Sequence, residues 1–126
     1  MSDLPPFELG HPRTELRRQL VAAVLAGAKI ATAGLWSEYE AEGEPIGEPG
    51  ARYVLRGFDD EPVAIVEVTD AKLVPAAEID LEFARDEGEG FESVEDWRVA
   101  HEAFFQQPIE PDTGIVAVRF RVVETL

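Results

Sequence analysis

The sequence predicts an α+β fold, and three observations carry that prediction. Two stretches place apolar residues at helical spacing between caps and stops, two strand-like stretches flank a tight acidic turn, and a C-terminal stretch alternates from face to face. Taken in order, Thr14 caps a helix over Glu15 to Ala26, where Leu16, Leu20, Ala23 and Val24 form the stripe and Gly27 supplies the stop. Arg17 and Arg18 are expected to face away from that stripe. Ala28 to Gly34 is small and β-compatible, Leu35 to Glu42 forms a short helix, and Gly43 to Gly50, with Pro45 and Pro49, is a loop. Arg52 to Phe58 and Pro62 to Val74 read as a hairpin around Asp59, Asp60 and Glu61. The apolar residues of Val63 to Val68 do not alternate with polar ones, so both faces of that strand are expected to be covered and Glu67 to be an interior carboxylate. Glu78 to Glu87 reads as a helix with Ile79 and Phe83 inward, and an acidic loop, Asp86 to Glu92, follows. Ser93 and Asp96 resemble a capping box, opening a helix on which Val94, Trp97, His101, Phe104 and Phe105 share a face. Pro108 and Pro111 end it, and Gly114 to Val123 sets Ile115, Ala117, Arg119 and Arg121 against Val116, Val118, Phe120 and Val122.

A chain of 126 residues is the size of one domain and buries roughly 65 to 70% of its unfolded surface. The net charge is −15, and the stretch from Glu38 to Asp96 carries all of it, with 19 acidic residues against four basic ones. Such a field repels polyphosphate, because nucleic-acid affinity rests on Lys and Arg displacing counterions, so binding to duplex DNA or RNA is excluded as a general activity. The Glu-rich runs read as a solvated surface. With no cysteine there is no disulfide, thiolate nucleophile or Cys-type zinc site; a divalent metal would be held by carboxylates, and no spacing marks such a site, so no cofactor is assigned. Met1 to Gly10 lacks a basic region followed by an apolar one, and no apolar run approaches the ~20 residues of a membrane span. The expected location is the cytoplasm, away from membranes.

Two constellations carry candidate chemistry. In Gly27-Ala28-Lys29-Ile30-Ala31-Thr32 a helix stop hands directly into a strand bearing a Lys and a Thr three residues apart. A carboxylate inside a covered strand needs a partner, and Lys29 is one of few cations in the first half of the chain, so a Lys29–Glu67 pair is expected, either structural or catalytic. The second constellation is aromatic. Phe104 and Phe105 read as core; Trp97 is core or ligand platform; Trp36 and Tyr39, ahead of a loop, are open for stacking on a base. His101 reads as a satisfied core histidine before a general acid or base, and His11 as a surface residue.

Gly27-Ala28-Lys29 with Thr32 is similar to the GxKxxE or GxKxxT signature of ASCH domains, of the PUA-like superfamily. The stretches "TAGLWSEYEAEGE" (Thr32 to Glu44), "PVAIVEVTDAKLVP" (Pro62 to Pro75), "FARDEGEG" (Phe83 to Gly90) and "VEDWRVAHEAFF" (Val94 to Phe105) resemble a bacterial subgroup in order and spacing. The resemblance covers roughly Leu20 to Val123. It implies a PUA-like mixed β-barrel flanked by helices, a single domain over 1–126 with its core at about 14–123 behind a lead-in, and a cleft into which the motif Lys projects. It also implies a role in RNA metabolism, with ribonuclease activity in some members and amide hydrolysis of acetylated cytidine nucleosides in others. Carried over, the catalytic roles fall on Lys29, Thr32 and Glu67, with Thr32 as nucleophile, Lys29 lowering its proton affinity or accepting its proton, and Glu67 orienting or shuttling protons. Trp36, Tyr39, Arg85, Trp97, Arg98 and His101 are the expected substrate-binding residues. Two departures bear on substrate choice or activity: Gly34 stands where an Arg often ends the motif, and Phe91 where the subgroup has Asp.

The expected activity is therefore that of a hydrolase acting on a nucleoside or short single-stranded RNA. The alternatives are a non-catalytic RNA or modified-base binding module and an interaction domain whose cleft is filled by its own side chains.

Overall fold

The computed structural model describes residues 4–126; the first three residues of the lead-in lie outside it. The elements are β1 (Pro6–Phe7), α1 (Glu15–Leu25), β2 (Ala31–Leu35), α2 (Trp36–Glu42), β3 (Arg52–Arg56), β4 (Pro62–Pro75), a 3-10 turn (Ala76–Glu78), α3 (Leu81–Asp86), α4 (Val94–Phe105) and β5 (Gly114–Thr125). The strands form one sheet in the order β1-β3-β4-β5-β2, parallel at β1–β3 and antiparallel elsewhere. Register shifts at Ile65/Val66 and Val68/Asp70 interrupt the long β4–β5 pairing. Bulges of this kind bend and twist a strand pair, which accounts for the curled half-barrel that, with its four helices, has the PUA-like α+β fold.

The two faces of the sheet are covered differently. On the inner face Leu20, Val21 and Val24 of α1 pack with Leu55, Ala64, Val66 and Phe120, and farther along Val68, Val116 and Val118 are covered by Trp36, Tyr39 and Ile46. On the outer face Ala31, Leu35 and Ile115 pack with Ile79, Phe83, Ala84 and Trp97 from the α3–α4 layer. The local signals act as expected at the helix starts: Thr14 Oγ1 accepts from Arg17 N at 3.1 Å and Ser93 Oγ from Asp96 N at 3.0 Å. The helix expected from Glu78 is broken instead, because Asp80 accepts from Phe83 N at 2.8 Å and starts α3 three residues later.

Arg17 departs from its expected place. It stands three and four residues before Leu20 and Val21 and so shares their packed face, 1% exposed. Its guanidinium donates to Leu9 O at 3.1 Å, Gly10 O at 3.2 Å, Gly57 O at 3.4 Å, Asp60 Oδ1 at 3.1 Å and Glu8 Oε2 at 2.9 Å. Through it the lead-in and the β3–β4 turn are tied to α1. Arg18, the neighbouring residue, is exposed and lies over the Phe58 ring. Phe104 also departs: it is 46% exposed and edge-on to Phe105, while Trp97, His101 and Phe105, spaced by four, take the inward face of α4.

Candidate functional site

The motif lysine is placed by the turn between α1 and β2. Gly27, at φ 82°, ends the helix, after which Ala28 N and Lys29 N both donate to Ala23 O. Ile30 N then donates to Asp86 O at 2.8 Å, which fastens this turn to the end of α3. The two backbones meet at Gly88, at φ 71°, where a Cβ would lie 2.5 Å from Ala28 O, so only glycine permits this approach. Lys29 is thereby enclosed. Its Nζ donates to Ala31 O at 2.8 Å and Glu87 O at 3.2 Å, and lies 3.5 Å from Glu87 Oε1 and 3.2 Å from Glu89 Oε2.

Glu87 is the hub of the cluster. Lys29 and Glu87 are each 1% exposed, and the Glu87 carboxylate also accepts from Trp97 Nε1 and faces His101 Nε2 at 3.3 Å. The His101 ring stacks on Trp97 at 4.4 Å, and its Nδ1 lies 2.8 Å from Trp97 O. Both ring nitrogens of His101 therefore face acceptors, an arrangement that favours the doubly protonated imidazolium. Burial pushes the Glu87 carboxyl up, but the His101 hydrogen bond and charge, with Lys29 and Trp97, hold it below its ordinary value. Burial likewise opposes the His101 cation, but the Glu87 hydrogen bond and charge raise its pKa above the ordinary 6.5.

These shifts set a pH dependence. The raised His101 pKa contributes stability that is full below pH 6.5 and is lost as pH rises through the higher folded value. The lowered Glu87 pKa contributes stability present above 4.5 and lost as pH falls through its lower folded value. The melting-temperature difference between wild type and His101→Gln is thus expected to be largest between pH 4.5 and 6.5 and to shrink above that window. A difference independent of pH would show that His101 is not held as a cation.

The expected site residues divide into those brought together and those kept apart. Lys29 does not pair with Glu67. Val66 and Val68 face the inner cores, so strand alternation turns Glu67 to the outer face, where it binds Arg52 and Arg121 from the neighbouring strands, at 3.0 Å each. Its side chain is 17% exposed, and hydrogen bonds from Arg121 and Arg52 lower its pKa. It is a cross-strand rim carboxylate rather than an interior one. Thr32 pairs in register with Val118 and alternates with Ala31 and Ala33, so it faces the inner side, opposite Glu67. Trp36 and Tyr39 pack half-buried on the inner face, and Tyr39 fills the space over Gly34, where a Cβ would lie 3.0 Å from its ring. A tyrosine ring thus occupies the place of the missing motif Arg. Arg85 is exposed on α3, and Arg98 is held by Glu95 and Glu102. Phe91 lies over the cluster, 5.8 Å from the His101 ring, where an Asp would have added a charge.

Glu87 and Glu89 were hidden in a run that reads as a solvated acidic loop. One signal does mark Glu87: it follows Phe83 by four residues and so shares the buried face of α3. A surface cavity of about 310 Å³ opens beside Lys29, lined also by Val24, Gly27, Ile30, Phe120 and Arg121. A second, of about 380 Å³, lies across α4 between Trp97, Arg98, Ala76, Ala77 and Ile109. Both volumes fall in the range of small-ligand sites. Among the described residues no three His, Asp or Glu side chains are grouped to hold a metal ion, and no helix is long and apolar enough to cross a membrane.

Among curated proteins none matches the sequence. The solved structures similar to it include the following three. Protein EF3133 from Enterococcus faecalis V583 is 24% identical, with a TM-score of 0.82 over 96% of this chain and 77% of that one. An ASCH domain from Lactobacillus crispatus JV V101 is 28% identical, with a TM-score of 0.73 over 84% of this chain and 71% of that one. Hypothetical protein PH0355 is 21% identical, with a TM-score of 0.60 over 86% and 94%. The family model described as the ASCH domain matches residues 9–124, and the chain belongs to the ASCH domain family.

Proposed function

We propose that the chain is a hydrolase of RNA metabolism that takes a nucleoside or the end of a short single-stranded RNA at the Lys29 centre, with Glu87, not Glu67, as the carboxylate partner of the motif lysine. ASCH domains are generally linked to RNA binding. The observation that carries the reading is the meeting of Lys29 and Glu87 at 3.5 Å, both buried, with Lys29 also lining a surface cavity of about 310 Å³. A charge held in a dry, preorganised setting acts on a developing substrate charge far more strongly than the same charge in water. Flanked by two carboxylates, Lys29 serves as an ammonium that draws electron density from a carbonyl or phosphoryl oxygen. Thr32 faces the inner side of β2, away from this centre, so the nucleophile in this reading is water. The net charge of −15 supports a small or single-stranded substrate over a duplex.

The second reading, a non-catalytic module for RNA or a modified base, is favoured by one observation. Lys29 spends its hydrogen bonds on Ala31 and on the Glu87–Glu89 segment, so no base is paired with Thr32. The two readings separate on a panel of acetylated nucleosides and short single-stranded RNAs, incubated with and without divalent metal. Wild type is expected to release product, Glu87→Gln to lose it, and Thr32→Val and Glu67→Gln to retain it; the substrate consumed distinguishes amidohydrolase from ribonuclease. Ligand binding without turnover would select the module. Turnover that is lost with Glu67→Gln and survives Glu87→Gln would overturn the assignment of Glu87.

A further inference from the structure

The charges around Lys29 balance only when Glu89 is included. With His101 protonated, as it is below its raised pKa, Lys29 and His101 supply two positive charges, and Glu87 and Glu89 two negative ones. Three of the four groups are locked by burial and by several partners each. Glu89 is not. Its side chain is 25% exposed, and its sole polar contact among the described residues is Lys29 Nζ at 3.2 Å. It stands between Gly88 at φ 71° and Gly90 at φ 85°, and a Cβ at Gly90 would meet nothing within 4 Å, so no neighbouring atom packs against that side of the turn. When Glu89 swings out, Lys29 Nζ keeps Ala31 O, Glu87 O and, at 3.5 Å, Glu87 Oε1, and a cluster of net charge +1 is left behind.

We infer that the Glu89 carboxylate holds the place of a ligand oxygen, and that the Lys29 site takes a ligand group bearing a single negative charge on oxygen, a carboxylate or a phosphodiester. A neutral carbonyl compensates the buried positive charge only as negative charge develops on it during reaction, whereas a single anionic oxygen restores in the bound state the balance that Glu89 provides. Glu89 is then a competitor built into the chain: ligand affinity is reduced by the fraction of time the site is closed, so a site open about one tenth of the time binds about tenfold more weakly than an unblocked one. The inference deepens the reading of the Lys29 centre as a ligand site, but does not require that the ligand be a nucleoside.

The test uses probes without a nucleobase at about pH 6, below the raised His101 pKa: acetate and dimethyl phosphate, each a monoanion there, and acetamide as the neutral control. Binding is followed by the NMR signals of the Gly27 and Gly88 amides and the Trp97 indole N–H, in wild type, Glu89→Ala and Glu89→Gln. Both variants are expected to bind at least one of the two anions about tenfold more tightly than wild type, with no gain for acetamide; the anion that gains identifies the group. Glu89→Gln keeps the size of the side chain, so it reports the charge even where Glu89→Ala disturbs the loop. Unchanged anion affinity in Glu89→Gln, or an equal gain for acetamide, would overturn the inference. Because the nucleoside panel is a separate measurement, a silent panel with a positive anion test rejects the nucleoside hydrolase and leaves the role of Glu89 standing; the reverse pattern rejects Glu89 alone.

Discussion

Glu87→Ala is expected to destabilise the fold by about 3 to 5 kcal/mol, the magnitude found when one partner of a buried ion pair is removed and the other is left uncompensated. The substitution strips Lys29 of its buried partner, removes the acceptor of the Trp97 indole N–H, and leaves His101 Nε2 without the carboxylate that holds its proton. For a domain of this size the melting temperature is expected to fall on the order of 10 to 20 °C, and the His101 pKa to drop. Replacing the charges together by apolar groups, as in Lys29→Met with Glu87→Leu and His101→Phe, is expected to recover much of the loss, because desolvation of the pair offsets most of its attraction. Glu67→Gln, at the half-buried rim where both arginine partners are exposed and solvated, is expected to cost far less than Glu87→Ala. Equal melting of Glu87→Ala and Glu67→Gln would contradict the placement of Glu87 at the hub.

Arg17→Ala is expected to cost about 3 kcal/mol, from a charged donor network whose loss leaves the Leu9, Gly10 and Gly57 carbonyls without their partner. That corresponds to a fall in melting temperature on the order of 10 °C. Arg17→Lys is expected to recover little, because an ammonium does not reproduce the planar fork that serves the lead-in and the β3–β4 turn at once. Arg18→Ala, on the exposed side of the same helix, is the control. Similar melting of the Arg17 and Arg18 variants would show that the buried guanidinium contributes nothing.

Both residues show where the sequence was legible and where it was not. Features set within a few residues read correctly: the caps at Thr14 and Ser93, the stop at Gly27 and the turn at Asp59 to Glu61; β5 is a strand as expected, but its expected polar side is covered at Ile115 and Ala117 by the outer core, and Val122 is exposed. Features that depend on strand register or on distant carbonyls did not. The apolar run Val63 to Val68 correctly predicts a strand covered on both sides, with Ala64, Ile65, Val66 and Val68 buried, but the partners of Glu67 lie on β3 and β5 and become visible only with the pairing Arg52–Glu67–Arg121. Arg17 is buried because carbonyls 8 and 40 residues away converge on it. The site was half legible. Lys29, Trp97 and His101 stand in one cluster, yet the carboxylate that joins them is 58 residues from Lys29 in a segment whose composition reads as solvent-facing. The two departures from the family pattern acquire physical meaning in the fold, since Tyr39 fills the space over Gly34 and Phe91 covers His101.

The most direct test of the Lys29–Glu87 centre follows backbone amides and the two indole N–H signals by NMR as acetylcytidine is added to the wild-type protein, with Trp36→Phe fixing which indole is which. Trp97 reports on Glu87 through its hydrogen bond, and the Gly27 to Ile30 amides report on the cavity beside Lys29. The predicted result is joint movement of the Trp97 indole and the Gly27 to Ile30 amides, with Trp36 unmoved. Movement confined to Trp36, or to Trp97 together with the Ala76 and Ala77 amides across α4, would contradict it.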